Sequence, residues 1–492
     1  MSANASGALS GERPNIIYIM ADDMGYGDLG CYGATKIPTP NVDRLAAEGL
    51  RFTDAHSSSA VCTPSRYSVL TGRYCWRTRQ KRGVGTGLSL PLIDPARMTV
   101  ASLLRSQGYA TAAVGKWHVG LEWQLKDEYV RENQCGFDWD KPHLMGPNDV
   151  ADVGIIDYSK PIIGGPTALG FDYFFGIAGS LDMPPYAFIE NNRTVGIPSE
   201  EKQPYNAQQK KGFMTPGWKD EEVDTYFAQK ATGFIDRHVA EHSDQPFFLY
   251  LTPSAPHRPC LPPEFMKGRS QAGPRGDMVC MLDWVVGEVL QALDRHDLAG
   301  NTLVLLTSDN GARPADVDGD LHGHKSCGDL RGYKGDIWEG GHRIPLVARW
   351  PLHIPAGAVS DATVSLIDFF DTCAAIVGAE TADNVAEDSF SFLPVLLGGD
   401  ASQESQRSAL IHHSVFGTFA VRREQWKFIA GTGSGGFSEP CHEELGPGMP
   451  PGQLYDMVAD LQETANLWEQ QPEVVEALSA ALDRIREQGY TD

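Results

Sequence analysis

Cys62-Thr63-Pro64-Ser65-Arg66-Tyr67-Ser68-Val69-Leu70-Thr71-Gly72-Arg73 is the stretch that decides how the 492-residue chain is read. Pro64 suits the first turn of a helix and Gly72 its end. Cys62 then sits at a helix N-terminus, where unpaired backbone N–H groups favour negative charge. Arg66 and Arg73 add positive charge that deprotonation cannot remove. Residue chemistry alone leaves two readings in balance. One is a nucleophile beside an anion-binding pocket; the other is a small buried thiol at a helix start.

Upstream, residues 15–20 (NIIYIM) have the apolar pattern of a buried strand, which runs into Ala21-Asp22-Asp23-Met24-Gly25. Open α/β sheets place ligands beyond the carboxyl ends of their strands, so these carboxylates are site candidates. Thr39-Pro40 opens a helix closed by Gly49, and a second helix over 100–107 is closed by Gly108. The strand at 109–114 then leads to Gly115-Lys116-Trp117-His118. Residues 122–204 show weak periodicity and many Gly, Pro and Asp, and read as long loops with short strands. A helix over 222–240 places Val223, Tyr226, Phe227, Ala231, Phe234 and Ile235 on one face. The strand 246–252 ends at Ala255-Pro256-His257. A helix over 278–293 precedes the strand 302–307, which ends at Ser308-Asp309-Asn310-Gly311. Four strand ends therefore carry polar, chemically capable residues. Strand–helix alternation predicts a largely parallel α/β sheet. Beyond about residue 395 the pattern changes to short antiparallel strands at 409–413, 418–422 and 426–430 and a helix at 473–486. The reading is a large domain over 1–395 and a smaller one over 396–492.

Composition bounds the function. Lys+Arg 41 against Asp+Glu 64 gives a net charge of −23, which argues against nucleic-acid or anionic-membrane binding. No apolar run is long enough for a membrane span. Nine cysteines are too sparse for a disulfide framework. The first fourteen residues lack the charged and apolar regions of a secretory leader. The expected location is cytoplasmic if this N-terminus is native, otherwise periplasmic or secreted with a leader removed. Arg73, Arg77, Arg79, Lys81 and Arg82 form an unusually basic run for so acidic a chain. It reads as a solvated face or as a device steering a polyanion toward the site. Asp316-Val317-Asp318-Gly319-Asp320 begins like a calcium loop but has Leu321 where Gly is needed, and reads as an acidic loop.

The Cys62–Arg73 stretch resembles the Cys-x-Pro-Ser-Arg-x-x-x-x-Thr-Gly-Arg signature of type I sulfatases at every fixed position. Asp22–Gly30, Gly115–Gly120 and Gly335–Pro345 resemble further motifs of that family, in the same order, and the arylsulfatase A branch is the nearest in character. The resemblance implies an alkaline-phosphatase-like fold and hydrolysis of aryl or carbohydrate sulfate monoesters. It implies oxidation of Cys62 to formylglycine by a formylglycine-generating enzyme. It also implies a Ca²⁺ site (Mg²⁺ the alternative) made by Asp22, Asp23, Asp309, Asn310 and residue 62. Oxygen donors of this kind suit a hard cation. By the same resemblance Arg66 and Lys116 hold the modified residue. His257 and Lys334 bind the sulfate and protonate the leaving oxygen, and His118 takes a proton so that sulfate departs. Lys116 and Ser180 are further sulfate-binding positions. A phosphonate monoester or phosphodiester hydrolase using the same residues is the alternative. The substrate expected is a sulfate ester, with a sulfated saccharide as one class.

Overall fold

The computed structural model describes residues 13–126, 156–314, 321–399 and 407–491. Its centre is a ten-stranded mixed sheet. Thr302–Ser308, Asn15–Ala21, Phe247–Thr252, Ala110–Lys116 and Tyr173–Ile177 run parallel, in that spatial order. Leu346–Arg349 adds antiparallel to the Thr302 side, followed by Leu50–Phe52 and Ala358–Ser360. Ile189–Glu190 and Arg193–Thr194 finish the other edge.

The sheet is covered on both faces, and its central strands are mostly apolar and buried at nearly every position. Alternate side chains divide between the two layers, as the two-residue period of a strand requires. Ile16, Tyr18 and Met20 pack with Tyr67, Val69 and Leu70 and with the helices Val100–Ser106 and Phe369–Val377. Ile17, Ile19 and Ala21 pack with the helices Pro40–Ala47, Val223–His242 and Gly273–Arg295. Parallel register brings the active ends level: Ala21 pairs with Ser308, Thr252 with Gly115, and Lys116 with Ile177.

Several sequence expectations need correction. Tyr173–Ile177 lies inside the region read as long loops with short strands, and its place as a full member of the central sheet was not anticipated; its apolar run YFFGI is only five residues and flanking Gly170 and Asp172 mask it. Tyr226 is exposed at 41%, at the border of its helix's apolar face, with its ring 5.1 Å from Phe188. The helix before Thr302 begins at Gly273, five residues early, with Pro274 in its first turn. The antiparallel strand Leu346–Arg349 gave no expectation. The Asp316–Asp320 loop lies outside the described residues. Cys31, Cys62, Cys75, Cys280, Cys327, Cys373 and Cys441 are free thiols.

The C-terminal part folds as a four-stranded antiparallel meander: Leu410–His413, Phe419–Arg423, Trp426–Ile429 and Gln453–Asp456. The fourth strand was not anticipated; it stands alone after a Gly/Pro-rich loop. The helix Pro472–Gln488 lays Leu478, Leu482 and Ile485 on Ile411, Val421, Phe428 and Leu454. Tyr74, Trp76 and Ile367 join this core from the main part of the chain. On the other sheet face, Ala420, Ile429 and Tyr455 meet Ile337 and Trp338. Lys427 crosses this junction fully buried, with Nζ 2.9 Å from Glu339 Oε1 and 2.7 Å from Glu463 Oε1.

Removing the Lys427 cation leaves two buried carboxylates facing each other. Lys427→Met is therefore expected to lower stability by about 3–5 kcal/mol, read as a fall in the urea midpoint. A midpoint within error of wild type would contradict the role given to this ion pair.

Candidate active site

The helix Cys62–Thr71 is buried on all sides, so it shows no amphipathic pattern. Its hydroxyls are satisfied within the helix region: Ser65 Oγ donates to Ser59 O, Ser68 Oγ to Pro64 O and Thr71 Oγ1 to Tyr67 O. Gly72 ends it at φ 63°, the left-handed region. This places Cys62 at the helix start, against the level ends of the parallel strands.

Asp22 and Asp23 follow the first strand, and Asp309 and Asn310 follow the strand Thr302–Ser308. Lys116 is the last residue of its strand, His118 lies two residues on, and His257 lies on the turn after Phe247–Thr252. Lys334 comes from the long segment after Asn310. All of them and Ser180 are at most 5% exposed.

The charges are paired. Lys116 Nζ donates to both Asp22 oxygens at 2.8 and 2.7 Å. Arg66 donates through Nε and Nη2 to Asp309 Oδ2 at 3.0 and 2.8 Å, and through Nη1 to Lys116 O at 3.1 Å. Lys334 Nζ donates to Asp23 Oδ1 and lies 3.3 Å from Cys62 Sγ. Cys62 Sγ is 3.6 Å from Asp22 Oδ1 and 3.8 Å from Asp23 Oδ1. Burial works against the Asp23 carboxylate, but Lys334 and His257 outweigh it and hold its pKa well below the usual range. Burial, then Asp309, push the Cys62 thiol well up, so the helix start does not create a thiolate.

Two histidines have defined tautomers. A backbone carbonyl can only accept, so His118 Nε2 donates to Gly85 O at 2.8 Å. Its Nδ1 is left unprotonated, buried and without a hydrogen-bond partner. Burial, then the Lys116 and Arg66 charges, keep His118 neutral. His257 Nδ1 likewise donates to Arg258 O at 2.8 Å, leaving Nε2 3.5 Å from Asp23 Oδ2. Burial lowers the His257 pKa to about 4, against the opposing pull of Asp23.

Asp22, Asp23, Cys62 and His257 bring ligand atoms within 4.8 Å of one another. Asn310 donates through Nδ2 to Asp23 Oδ1 at 2.8 Å, and its Oδ1 is buried without a hydrogen-bond partner. Asp309 is more committed: Oδ2 to Arg66, and Oδ1 to Asp23 N at 3.2 Å. Ser180 stands on the turn after Tyr173–Ile177, and its buried hydroxyl has no hydrogen-bond partner. Sequence reading did not single out Asp182, Arg258 or Asp224. Asp182 pairs with Arg258 at 2.9 Å and stabilises its carboxylate through the neighbouring His257 and Arg258. Asp224 accepts from Ser254 N at 2.7 Å and so holds the turn that carries His257. Arg258 directly follows His257, which is the one sequence signal that could have drawn attention to it.

Known proteins carry the same architecture. The family described as Sulfatase matches residues 14–379. The chain belongs to the sulfatase family. This sulfatase is 36% identical over 518 aligned residues to N-acetylgalactosamine-6-O-sulfatase of Bacteroides thetaiotaomicron, covering 96% of this chain and 93% of that protein. It is 34% identical to arylsulfatase A of Homo sapiens, over 97% and 88% of the two chains. A solved Bacteroides thetaiotaomicron structure, from work on its metabolism of multiple glycosaminoglycans, superposes with a TM-score of 0.80 at 32% identity, over 96% and 99% of the two chains. The phosphonate monoester hydrolase of Agrobacterium radiobacter shares the fold at a TM-score of 0.59 and 21% identity, over 97% and 96%. The fold is therefore alkaline-phosphatase-like, and the sulfatase hydrolyses sulfate monoesters. The phosphonate alternative is left with a likeness of fold. Among the described residues no helix is long and apolar enough to cross a membrane.

Gly115 precedes Lys116 at φ 124°, and a Cβ there would lie 2.1 Å from Thr252 O. Gly115→Ala is expected to cost at least about 1–3 kcal/mol, the scale of a strained backbone, and to displace Lys116. The checks are a thermal melt and turnover; a melt and turnover equal to wild type would contradict the close packing of these two strand ends.

Proposed function

We propose that the sulfatase removes sulfate from a carbohydrate, of the 6-sulfated hexosamine class, with residue 62 as formylglycine and a divalent cation beside it. The observation carrying this reading is the convergence of Asp22, Asp23 and Lys334 on Cys62 Sγ. The carbohydrate class rests on likeness to the N-acetylgalactosamine-6-O-sulfatase.

The residues present fit a hard cation. Their free atoms are oxygens, two of them, Asp23 Oδ2 and Asn310 Oδ1, buried without a hydrogen-bond partner. Asp22, Asp23, Asp309 and Asn310 would hold Ca²⁺, with Mg²⁺ the smaller and geometrically stricter alternative. Such a cation supplies Lewis acidity at residue 62 and at a sulfate oxygen. Formylglycine supplies, once hydrated, two hydroxyls on one carbon, which neither cysteine nor serine has. A formylglycine-generating enzyme is the implied maturation partner.

The chain's own residues divide the remaining work. Arg66, fixed by Asp309 and Lys116 O, cannot lose its proton and gives permanent positive charge behind residue 62. Lys116 and Lys334 neutralise oxygens of the bound ester, in a buried site where electrostatic contacts are stronger than in bulk water. His257, with Nδ1 committed to Arg258 O, presents Nε2 to the leaving oxygen and can donate there only as the imidazolium, the form that the negative charge of a bound sulfate ester favours; Lys334 stands beside it as the other proton donor. His118 presents the unprotonated Nδ1 and is suited to accept the proton whose removal frees the sulfate. Ser180 is assigned to the sulfate pocket with them.

Cys62→Ala is expected to lose turnover by roughly 10⁴-fold or more, and Cys62→Ser to react at most once per chain. Mass spectrometry of the peptide holding residue 62, from protein coexpressed with the maturation enzyme, is expected to find the aldehyde. Multiple turnovers by Cys62→Ser, with serine still at position 62, would overturn the formylglycine reading. For wild type, kcat/KM on a 6-sulfated hexosamine is expected to exceed that on an aryl phosphonate by ~10²-fold or more, about 2.7 kcal/mol of transition-state preference. A phosphonate preference would overturn the substrate reading.

A further inference from the structure

Four cations of the basic run noted in the sequence, Arg73, Arg77, Lys81 and Arg82, line a cavity of about 810 Å³ at the opposite end of the Cys62 helix, while Arg79 donates to the Leu90 and Pro91 carbonyls. The cavity lies between the loop after Gly72, the hairpin around Gly417 and the end of the C-terminal helix. Arg73 and Arg77 contribute to the lining but are answered from behind, by Glu387 at 3.4 Å and by Asp388 at 2.8 Å. Three further lining cations have no acidic partner among the described residues. Lys81 Nζ donates only to the neutral Trp76 O, at 2.9 Å. Arg486 lies over the Phe419 ring at 4.8 Å. Arg82 makes no side-chain hydrogen bond or ion pair. Asp483 and Glu487 are the lining acids, both on the exposed side of the helix. A surplus of uncommitted cations beside Trp76, Phe416 and Phe419 is unexpected in a chain of net charge −23.

This cavity is joined to the active site by two short connections. Gly83 N bonds to Val415 O, and two residues after Gly83 the carbonyl of Gly85 holds His118. On the other side, Phe416 meets the Phe437 ring edge-on at 6.1 Å. Phe437 is held against Gly335, where a Cβ would lie 2.5 Å from the ring. Gly335 follows Lys334 directly. Arg313 lies over the same Phe437 ring at 5.3 Å and is close enough to Lys334 to act on it electrostatically. From Lys334 outward, Arg313 is followed by the rings of Phe437 and Phe416 and then by the cations Arg82, Lys81 and Arg486. Aromatic faces suit sugar rings, and cations suit the acidic groups between them. At ~1.5 Å per residue the ten-residue helix separates the cavity from Cys62 by about 15 Å. That is beyond the reach of the monosaccharide whose ester is cleaved.

We propose that this cavity is a second anion-binding site, taking a sulfate or carboxylate group on a later unit of a polyanionic oligosaccharide whose terminal sulfate occupies the Lys334 pocket. The proposal rests on the carbohydrate-sulfatase reading. It makes the enzyme's natural substrate a chain, selected over a single sugar by charge at a distance.

The test uses the full chain. Binding is measured by calorimetry on Cys62→Ala, with a sulfated glycosaminoglycan tetrasaccharide, the same tetrasaccharide desulfated, and a 6-sulfated monosaccharide. Turnover is measured on the matured enzyme. The sulfated tetrasaccharide is expected to bind at least about tenfold more tightly than the monosaccharide, with an advantage that fades as salt rises. The charge reversals Arg82→Glu and Arg486→Glu are expected to remove that advantage. They should lower kcat/KM for the tetrasaccharide about tenfold while changing that for the monosaccharide less than twofold. Arg82→Gln and Arg486→Gln, with melts equal to wild type, guard against a folding defect and should give a smaller loss in the same direction. Equal binding of the desulfated chain, or reversals that leave the tetrasaccharide unaffected or lower both substrates together, would overturn the proposal. Monosaccharide hydrolysis without any tetrasaccharide advantage overturns the cavity alone. Absence of turnover on every sulfate ester overturns the functional reading, and the binding measurements still decide the cavity.

Discussion

The structure depends on enclosing six charged groups at the carboxyl ends of the central parallel strands. Asp22, Asp23 and Asp309 face Arg66, Lys116 and Lys334, all of them nearly or wholly buried. Ions out of water are costly unless each meets a partner with good geometry. Much of the local structure follows from that demand. The parallel register levels the strand ends, so that Asp22, Lys116 and Asp309 arrive together. Asp23 and His118 accept positive φ values of 65° and 59°, an uncommon backbone state for side chains other than Gly. The Cys62 helix gives up an exposed face altogether, and Arg66 on its inner side anchors Asp309 and Lys116 at once.

The same balance explains how the site discriminates. Three carboxylates and three fixed cations leave the resting cluster close to neutral, so a cation arriving alone or an anion arriving alone unbalances it. A divalent cation and a sulfate ester would complement each other there, the carboxylates answering the one and the lysines the other. Arg66 does not enter that exchange, because its guanidinium is tied to Asp309 through Nε and Nη2 and to Lys116 O through Nη1. The rest of the molecule supports this arrangement at a distance. The small C-terminal sheet packs on Trp338 and Ile337, and its hairpin at Val415 bonds to Gly335 beside Lys334. A second enclosed ionic junction, Lys427 with Glu339 and Glu463, ties that sheet to the segment carrying the site lysine.

Much of this was legible in the sequence, and the reasons it was or was not are physical. NIIYIM, FFLYL and TLVLLT are continuous apolar runs, as strands covered on both faces must be, and each is followed by its polar site residues. Tyr173–Ile177 was missed as a core strand because five residues between turn formers carry too little pattern. Gln453–Asp456 was missed because its partners lie earlier in the chain and its pairing is set by them. The site residues Asp22, Asp23, Cys62, Arg66, Lys116, His118, His257, Asp309, Asn310 and Lys334 do come together, although they span more than half the sequence. Proximity of that kind was readable only through the motif resemblance. Asp224 and Asp182 escaped notice because each acts by fixing a turn or a neighbouring cation, and neither lies in a motif with chemical meaning of its own.

The central claim is that the carboxylates after two neighbouring strands form a hard-cation site against residue 62. Thermal melting and calorimetric titration of chelator-treated protein with Ca²⁺ test it directly. The account predicts one ion per chain, a melting temperature that rises with Ca²⁺ concentration as mass action requires, and loss of both effects in Asp23→Asn and Asp309→Asn. A melting temperature indifferent to Ca²⁺ and Mg²⁺, or an ion still bound after both substitutions, would contradict it.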